Sequence, residues 1–178
     1  DLAVIENADV WVEGHTVREV RPRPFHQPAA RWFAPSKDLR EVEAGGGILM
    51  PAFVDCHTHA CFAGERLDEW RMKLDGAAYL DILKAGGGIM STVRAVRAAS
   101  ERDLANDVGD RLVYFGINGT GAVEIKSGYG LSTHDELKML RAVKVGAAKC
   151  QREVELTALL GHAIDPDVPD FVDRTINE

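Results

Sequence analysis

Pro51-Ala-Phe-Val-Asp55-Cys-His57-Thr-His59 is the stretch whose reading decides the fold. A short apolar run ends in two histidines one residue apart, and in an extended strand alternate side chains share a face. His57 and His59 therefore point the same way, Asp55 shares their parity as a supporting group, and Cys56 faces away. Two imidazoles on one face at a strand end suit one divalent metal ion, with zinc and iron both acceptable. Two histidines are half of an ordinary metal site, so further ligands have to come from elsewhere.

Downstream of this strand, Asp75 stands as an N-cap for a helix through Gly76–Lys84 that Gly86-Gly-Gly88 stops. A second helix starts near Ser100, with Leu104, Val108, Leu112 and Phe115 on one apolar stripe. Ala122–Lys126 reads as a strand. Thr133 and Glu136 have capping-box spacing, and the helix they open carries Leu137, Leu140, Val143 and Ala147 on one face. Val154–Leu160 is the next strand, ending at Gly161-His162, and Val168 to Glu178 opens a last helix. Upstream, Gly45–Pro51 reads as a return strand with a turn leading into the histidine strand. Ala3–Ile5 and Ala8–Val12 are short β pieces with a turn at Gly14. Residues 21–41 hold Pro22, Pro24, Pro28 and Pro35 and read as an extended loop pinned by Trp32 and Phe33.

Strands alternating with helices mean parallel βαβ units, so the fold class is α/β. Polar clusters follow the strands: His57 with His59, Ser127-Gly-Tyr-Gly130, and Gly161-His162. A (β/α)8 barrel gathers such clusters at one mouth, and a doubly wound sheet also places ligands at strand ends, so both folds stay open on this pattern. The expected organisation is a small β region over residues 1–50, with the Pro-rich loop 21–41, followed by the α/β part over 51–178.

The chain has 178 residues, 46% of them hydrophobic, which is enough for one ordinary core. Its formal net charge of -7 gives no electrostatic reason to expect nucleic acid or an anionic membrane as partner. No apolar run approaches the ~18 residues that cross a bilayer. No basic segment followed by an apolar one opens the sequence, and its first residue, Asp1 rather than Met, reads as not the natural start. Cys56, Cys61 and Cys150 are few and odd in number, which points to reduced thiols and a cytoplasmic location. Cys56 and Cys61 are read as buried thiols rather than ligands.

Phe53–His59 resembles the first barrel strand of the amidohydrolase superfamily. Phe62-Ala-Gly-Glu-Arg66, Leu74–Tyr79, Ala85-Gly-Gly-Gly-Ile-Met-Ser-Thr92, Val123-Glu-Ile-Lys-Ser-Gly-Tyr-Gly-Leu131 and Gly161-His-Ala163 resemble, in order and spacing, the N-terminal portion of the imidazolonepropionase family. The resemblance is dense from residue 44 onward and loose over 2–20. It implies a partial (β/α)8 barrel preceded by part of an accessory β-sandwich. It also implies metal-dependent hydrolysis of the cyclic amide of 4-imidazolone-5-propanoate to N-formimidoyl-L-glutamate, a step of histidine degradation. By the same resemblance His57 and His59 are metal ligands, and Arg66 binds the propanoate through a bidentate guanidinium–carboxylate pair. Tyr79 and Tyr129 line the pocket. His162 contacts the imidazolone ring, where it polarises the carbonyl or moves a proton. The metal activates water for attack on the ring carbonyl.

The chain departs from the family in several places. Ala52 stands where glycine is usual, and segment 21–41 matches no typical family turn. The family's further histidine and aspartate ligands and its general-base glutamate come from later strands, absent from these residues. A full barrel needs about 250 residues. Three readings follow: a fragment of a longer enzyme, a piece that assembles with a second one, or a non-catalytic binding or assembly module. The fragment reading is preferred, because the sequence breaks inside the helix at Thr175–Glu178. This chain alone is then expected to be inactive and, with its open half-barrel, to self-associate. Within the enzyme class the alternative is another amidohydrolase, a cyclic-imide hydrolase or a deaminase.

Overall fold

The computed structural model of the chain describes residues 3–23, 40–150 and 152–177. The chain divides into two compact units, Asp1–Leu49 and Met50–Glu178. In the first, β1 (Ala8–Glu13) and β2 (Thr16–Pro22) form an antiparallel hairpin whose register shifts between Trp11 and Val12. Gly14 turns it with a φ of 60°, the left-handed conformation that tight hairpin turns need. The returning strand β2 was not legible as an element, because its two valines stand three residues apart, off the strand period, and nearly every residue is exposed. Ala3–Ile5 and Gly45–Pro51, expected as strands, have no regular structure beyond a turn at Gly45-Gly46. Most of the Pro-rich loop, with Trp32 and Phe33, lies outside the described residues.

The second unit runs β3 (Phe53–Thr58), α1 (Leu67–Leu74), α2 (Tyr79–Lys84), α3 (Ile89–Ala98), α4 (Glu101–Ile117), β4 (Thr120–Lys126), α5 (Thr133–Ala147), β5 (Glu153–Thr157) and α6 (Phe171–Asn177). The strands form a parallel sheet in the order β3-β4-β5. The fold is thus α/β, with βαβ connections as the alternation of elements requires. Along β4, Val123 and Ile125 are buried at 2% and 0% exposure, while Ala122, Glu124 and Lys126 between them are only partly covered. The first pair packs into a core with Leu104, Val108 and Leu112 of α4 and Met139, Ala142 and Val143 of α5. Each such side chain stabilises the fold by roughly 1.5–3 kcal/mol on burial. The helix pair α4/α5 therefore backs one face of the sheet and leaves the strand ends free for polar groups.

Ser100 caps α4 as expected, its hydroxyl accepting the Asp103 N–H at 3.1 Å. Three helix readings are corrected. Asp75 does not start a helix. It ends α1, donating its N–H to the Arg71 carbonyl, and α2 begins only at Tyr79. The triple glycine does not merely stop a helix, since α3 starts directly after it with Gly88 at a φ of 82°. The cap of α5 is Ser132, which accepts the Asp135 N–H, and Glu136 is used elsewhere. The buried stripe of α5 is Met139, Ala142, Val143 and Gly146, rotated from the expected one, so that Leu137 is exposed.

Candidate active site at the strand ends

His57 lies near the end of β3 and His59 just past it. Between Asp55 and Thr58 the register of β3 advances three residues while β4 advances two, from Val123 to Ile125. This extra residue is a bulge, and it breaks the alternation that sequence reading assumed. Asp55 therefore loses its simple parity with His57; its carboxylate accepts the His57 N–H in a long 3.4 Å contact. Thr58 fixes the strand end by donating its hydroxyl to the Glu124 carbonyl at 2.7 Å. Cys56, expected to be buried, is exposed, whereas Cys61 is buried and its thiol is pushed up to about 12 by that burial.

Three strand ends bring four rings together. The His57 and His59 ring centroids are 5.7 Å apart. Past β4, Tyr129 stands 5.3 Å from His59, and past β5, His162 stands 4.4 Å from it. Tyr129 and His162 meet edge-on at 5.8 Å. Both ring nitrogens of His59 are buried without a hydrogen-bond partner. Burial lowers the His59 pKa, and His162, His57 and Lys126 lower it further against an opposing Ser127 backbone contribution. A neutral imidazole with neither its N–H nor its one lone pair engaged is costly to bury, and a free imidazole lone pair is what a metal needs, so a divalent metal fits here. Among the described residues no group of three or more His, Cys, Asp or Glu is arranged to hold a metal, so the fit extends to this histidine pair alone.

The loop that presents Tyr129 is shaped by Glu136, only 2% exposed. Its carboxylate accepts the N–H groups of Gly128 at 2.6 Å, Gly130 at 2.8 Å and Leu131 at 2.7 Å. Glycine is required on either side of Tyr129. A Cβ on Gly128 would lie 3.0 Å from the His162 Cβ and 3.3 Å from the His59 ring, and one on Gly130 would lie 2.5 Å from the Glu136 backbone nitrogen. Burial raises the Tyr129 pKa, opposed by the charge of Arg66.

Arg66 stands at the N-cap of α1 with its fork already engaged. Its Nε and Nη2 donate to Glu69 at 2.9 and 2.6 Å, and Glu69 also accepts the Gly88 N–H at 3.0 Å. The Glu69 hydrogen bond is the main reason the Arg66 pKa is raised, and Tyr129 and Tyr79 favour its charge as well. Tyr79, at the start of α2, is 60% exposed and makes no ring contact with the cluster. The site thus gathers His57, His59, Tyr129 and His162, has Arg66 beside Tyr129, and leaves Tyr79 at its edge. Sequence reading missed Glu69, Glu136, Arg97 and Asp165, which hold these groups. Only Glu136 gave a signal, and its spacing from Thr133 pointed to a cap.

No family model matches the sequence. The chain is 47% identical over 145 residues to an imidazolonepropionase of Symbiobacterium thermophilum, covering 79% of this chain and 34% of that protein. It is 43% identical over 153 residues to the imidazolonepropionase of Sphingopyxis alaskensis, with 81% and 38% covered. It is 39% identical over 183 aligned positions to that of Geobacillus kaustophilus, with 100% and 42% covered. The chain spans between 33% and 42% of the length of the curated relatives it matches. With the strand-end histidines and the Gly-Tyr-Gly loop in the described geometry, these matches place the chain in the imidazolonepropionase family.

Proposed function

We propose that this chain carries the first part of a hydrolytic site that opens the cyclic amide of 4-imidazolone-5-propanoate to N-formimidoyl-L-glutamate. The observation that carries this is the ring cluster at the ends of β3, β4 and β5, with both nitrogens of His59 buried and unpaired. In this reading residues 51–178 are the first part of a (β/α)8 barrel, since parallel strands in sequential order are how a barrel begins. Residues 1–50 are its accessory β region. His57 and His59 hold one divalent metal, zinc or iron, with the remaining ligands coming from outside these residues. When bound, that metal acidifies water for attack on the ring carbonyl.

The chain's own residues bind and orient the substrate. His162, packed on His59, contacts the imidazolone and passes a proton at its carbonyl oxygen or ring nitrogen. Tyr129 closes one wall of the pocket and Tyr79 its rim. Arg66 binds the propanoate: Glu69 holds the Nε–Nη2 edge of its guanidinium and orients it, which leaves the Nη1–Nη2 edge for the substrate carboxylate. A cytoplasmic location belongs to the same proposal; among the described residues no helix is long and apolar enough to cross a membrane.

In the full protein that carries this sequence, H57A and H59A are expected to lose bound metal, read by elemental analysis, together with turnover. Full metal content and activity in either variant would refute the assignment. R66A is expected to raise KM by about 10–100-fold with a smaller change in kcat, because the carboxylate is held in ground and transition states alike. The engagement of Arg66 by Glu69 favours one rival reading, in which Arg66 is structural and the substrate lacks a carboxylate, as for a cyclic-imide hydrolase or deaminase. An unchanged KM in R66A and turnover of an uncharged cyclic imide would establish that rival.

A further inference from the structure

We propose that Arg97 is a positioning residue of the substrate site, fastening the loop that carries Tyr129 to the loop that carries His162. The two loops leave different strands. They are joined at their base, where the Ser127 N–H donates to the Thr157 carbonyl at 3.0 Å and the Leu159 N–H donates to the Ser127 hydroxyl at 3.1 Å. Farther out the link comes from α3. Arg97 donates from Nε to the Gly130 carbonyl at 2.8 Å, and from Nη2 to the Leu131 carbonyl at 3.3 Å and to Asp165 Oδ2 at 2.8 Å. Gly130 follows Tyr129 directly, and Asp165 lies three residues past His162.

Each end of the link is itself fixed. Asp165 is 1% exposed, and its other oxygen accepts the Asp167 N–H at 3.0 Å. Burial alone would raise the Asp165 pKa, but the Asp167 N–H and Arg97 outweigh it and hold the carboxyl below its usual range. The backbone of Arg97 is anchored by Lys138, whose ammonium donates to the Val96 and Arg97 carbonyls at 2.9 and 3.1 Å. Glu136 takes the N–H groups of the Tyr129 loop while Arg97 takes its carbonyls, so that loop is gripped from both sides. A planar guanidinium holds its donors apart in a fixed fork that spans both loops at once, whereas an ammonium presents its three donors from a single point. The consequence is the 5.8 Å spacing between the Tyr129 and His162 rings, which form a compact triangle with His59. This inference rests on the reading that Tyr129 and His162 face substrate.

The test uses R97K in the full protein, because lysine still neutralises the buried Asp165 and the fold survives, whereas the fork is lost. Without substrate, peptides over 127–132 and 159–167 are expected to exchange amide hydrogens several-fold faster in R97K, with α5 unchanged. With substrate, KM is expected to rise about 10-fold, in keeping with loss of charge-assisted hydrogen bonds, and kcat to change less. In the double variant R97K/Y129F the KM effect of R97K is expected to be smaller than in the wild-type background, since the share carried by Tyr129 is already lost. D165N reads the same link from its other end and is expected to loosen the same two peptides. Unchanged exchange in both R97K and D165N, or KM effects that multiply in the double variant, would overturn the proposal. If Y129F and H162N both keep wild-type kinetics, the substrate-site reading fails and the positioning role falls with it. If they are impaired while R97K is not, the Arg97 link alone fails.

Discussion

A buried carboxylate facing three backbone N–H groups is the strongest single-residue commitment in the second unit. Glu136 accepts from Gly128, Gly130 and Leu131, and Leu131 itself sits at a φ of 52°, unusual for a residue with a side chain. The charge offsets the cost of that path, because hydrogen bonds to an ionised group contribute about 1.5–3 kcal/mol each. E136Q keeps the shape but turns one acceptor into a donor aimed at N–H groups. It is expected to destabilise the protein by about 2–4 kcal/mol, measured by urea denaturation, and to loosen the Tyr129 loop. A variant as stable as wild type would show that the loop keeps its path without the carboxylate. The histidine pair was readable from the sequence as two imidazoles one residue apart at the end of an apolar run, and their rings stand 5.7 Å apart. Glu136 was not, because its three partners are backbone amides whose path only the folded loop defines, and its spacing from Thr133 imitates a cap. The surroundings of Asp55 were less legible for a related reason: the register shift between Asp55 and Thr58 leaves no mark in composition.

Where α4 crosses α5, two glycines face opposite fates. A Cβ on Gly146 would lie 2.7 Å from the Ala105 carbonyl oxygen and 3.0 Å from the Val108 Cβ, so the helices approach closely only because it is absent. A Cβ on Gly109 would find nothing nearer than 3.8 Å. Alanine favours a helix interior over glycine by about 1 kcal/mol. G109A is therefore expected to stabilise the protein by about 0.5–1 kcal/mol. G146A is expected to lose more than it gains and to destabilise by about 1–3 kcal/mol as the helices are forced apart. Thermal unfolding of the two variants decides it; expectations of opposite sign leave no room for a generic glycine effect, and stabilisation by G146A would mean the crossing is looser than described. At this scale α4 and β4 were legible from their patterns, since each buries residues its pattern marks, while β5 was found where a strand was expected but stops at Thr157 and buries none of its residues. The helices α1 and α3 were not. The glycines at 86–88 end one helix and begin another, and a sequence shows only that helix is interrupted there. Gly87 also allows close packing, for a Cβ on it would meet Ile82 at 2.8 Å and Glu69 at 2.9 Å.

The parallel sheet of the whole second unit is backed by helices on one face and ends at β3 and β5, each with a partner strand on one side only among the described residues. The order of elements was readable because strands and helices alternate in the sequence. Closure was not, since an alternation of strands and helices is the same for a sheet that stays open and for one that closes. The physical result is apolar surface at the open edges: Phe53 and Val54 of β3 are 56% and 70% exposed, and Leu156 of β5 and Leu160 beyond it are exposed as well. An open strand edge flanked by apolar side chains is a template for pairing with another chain. Against this stands the formal charge of -7, which repels copies at low ionic strength. Because salt screens that repulsion without weakening apolar contact, the two forces are separable. The 178-residue chain is expected to associate with rising concentration, and more strongly in ~0.5 M salt than in ~0.02 M salt, when followed by sedimentation velocity. Charge placed at the edge should reverse this, so F53E and L156E together are expected to return the chain to a single slow species. A monomer at every concentration and salt level would mean that the exposed edges of β3 and β5 are covered in solution, and that the sheet is completed from within the chain itself.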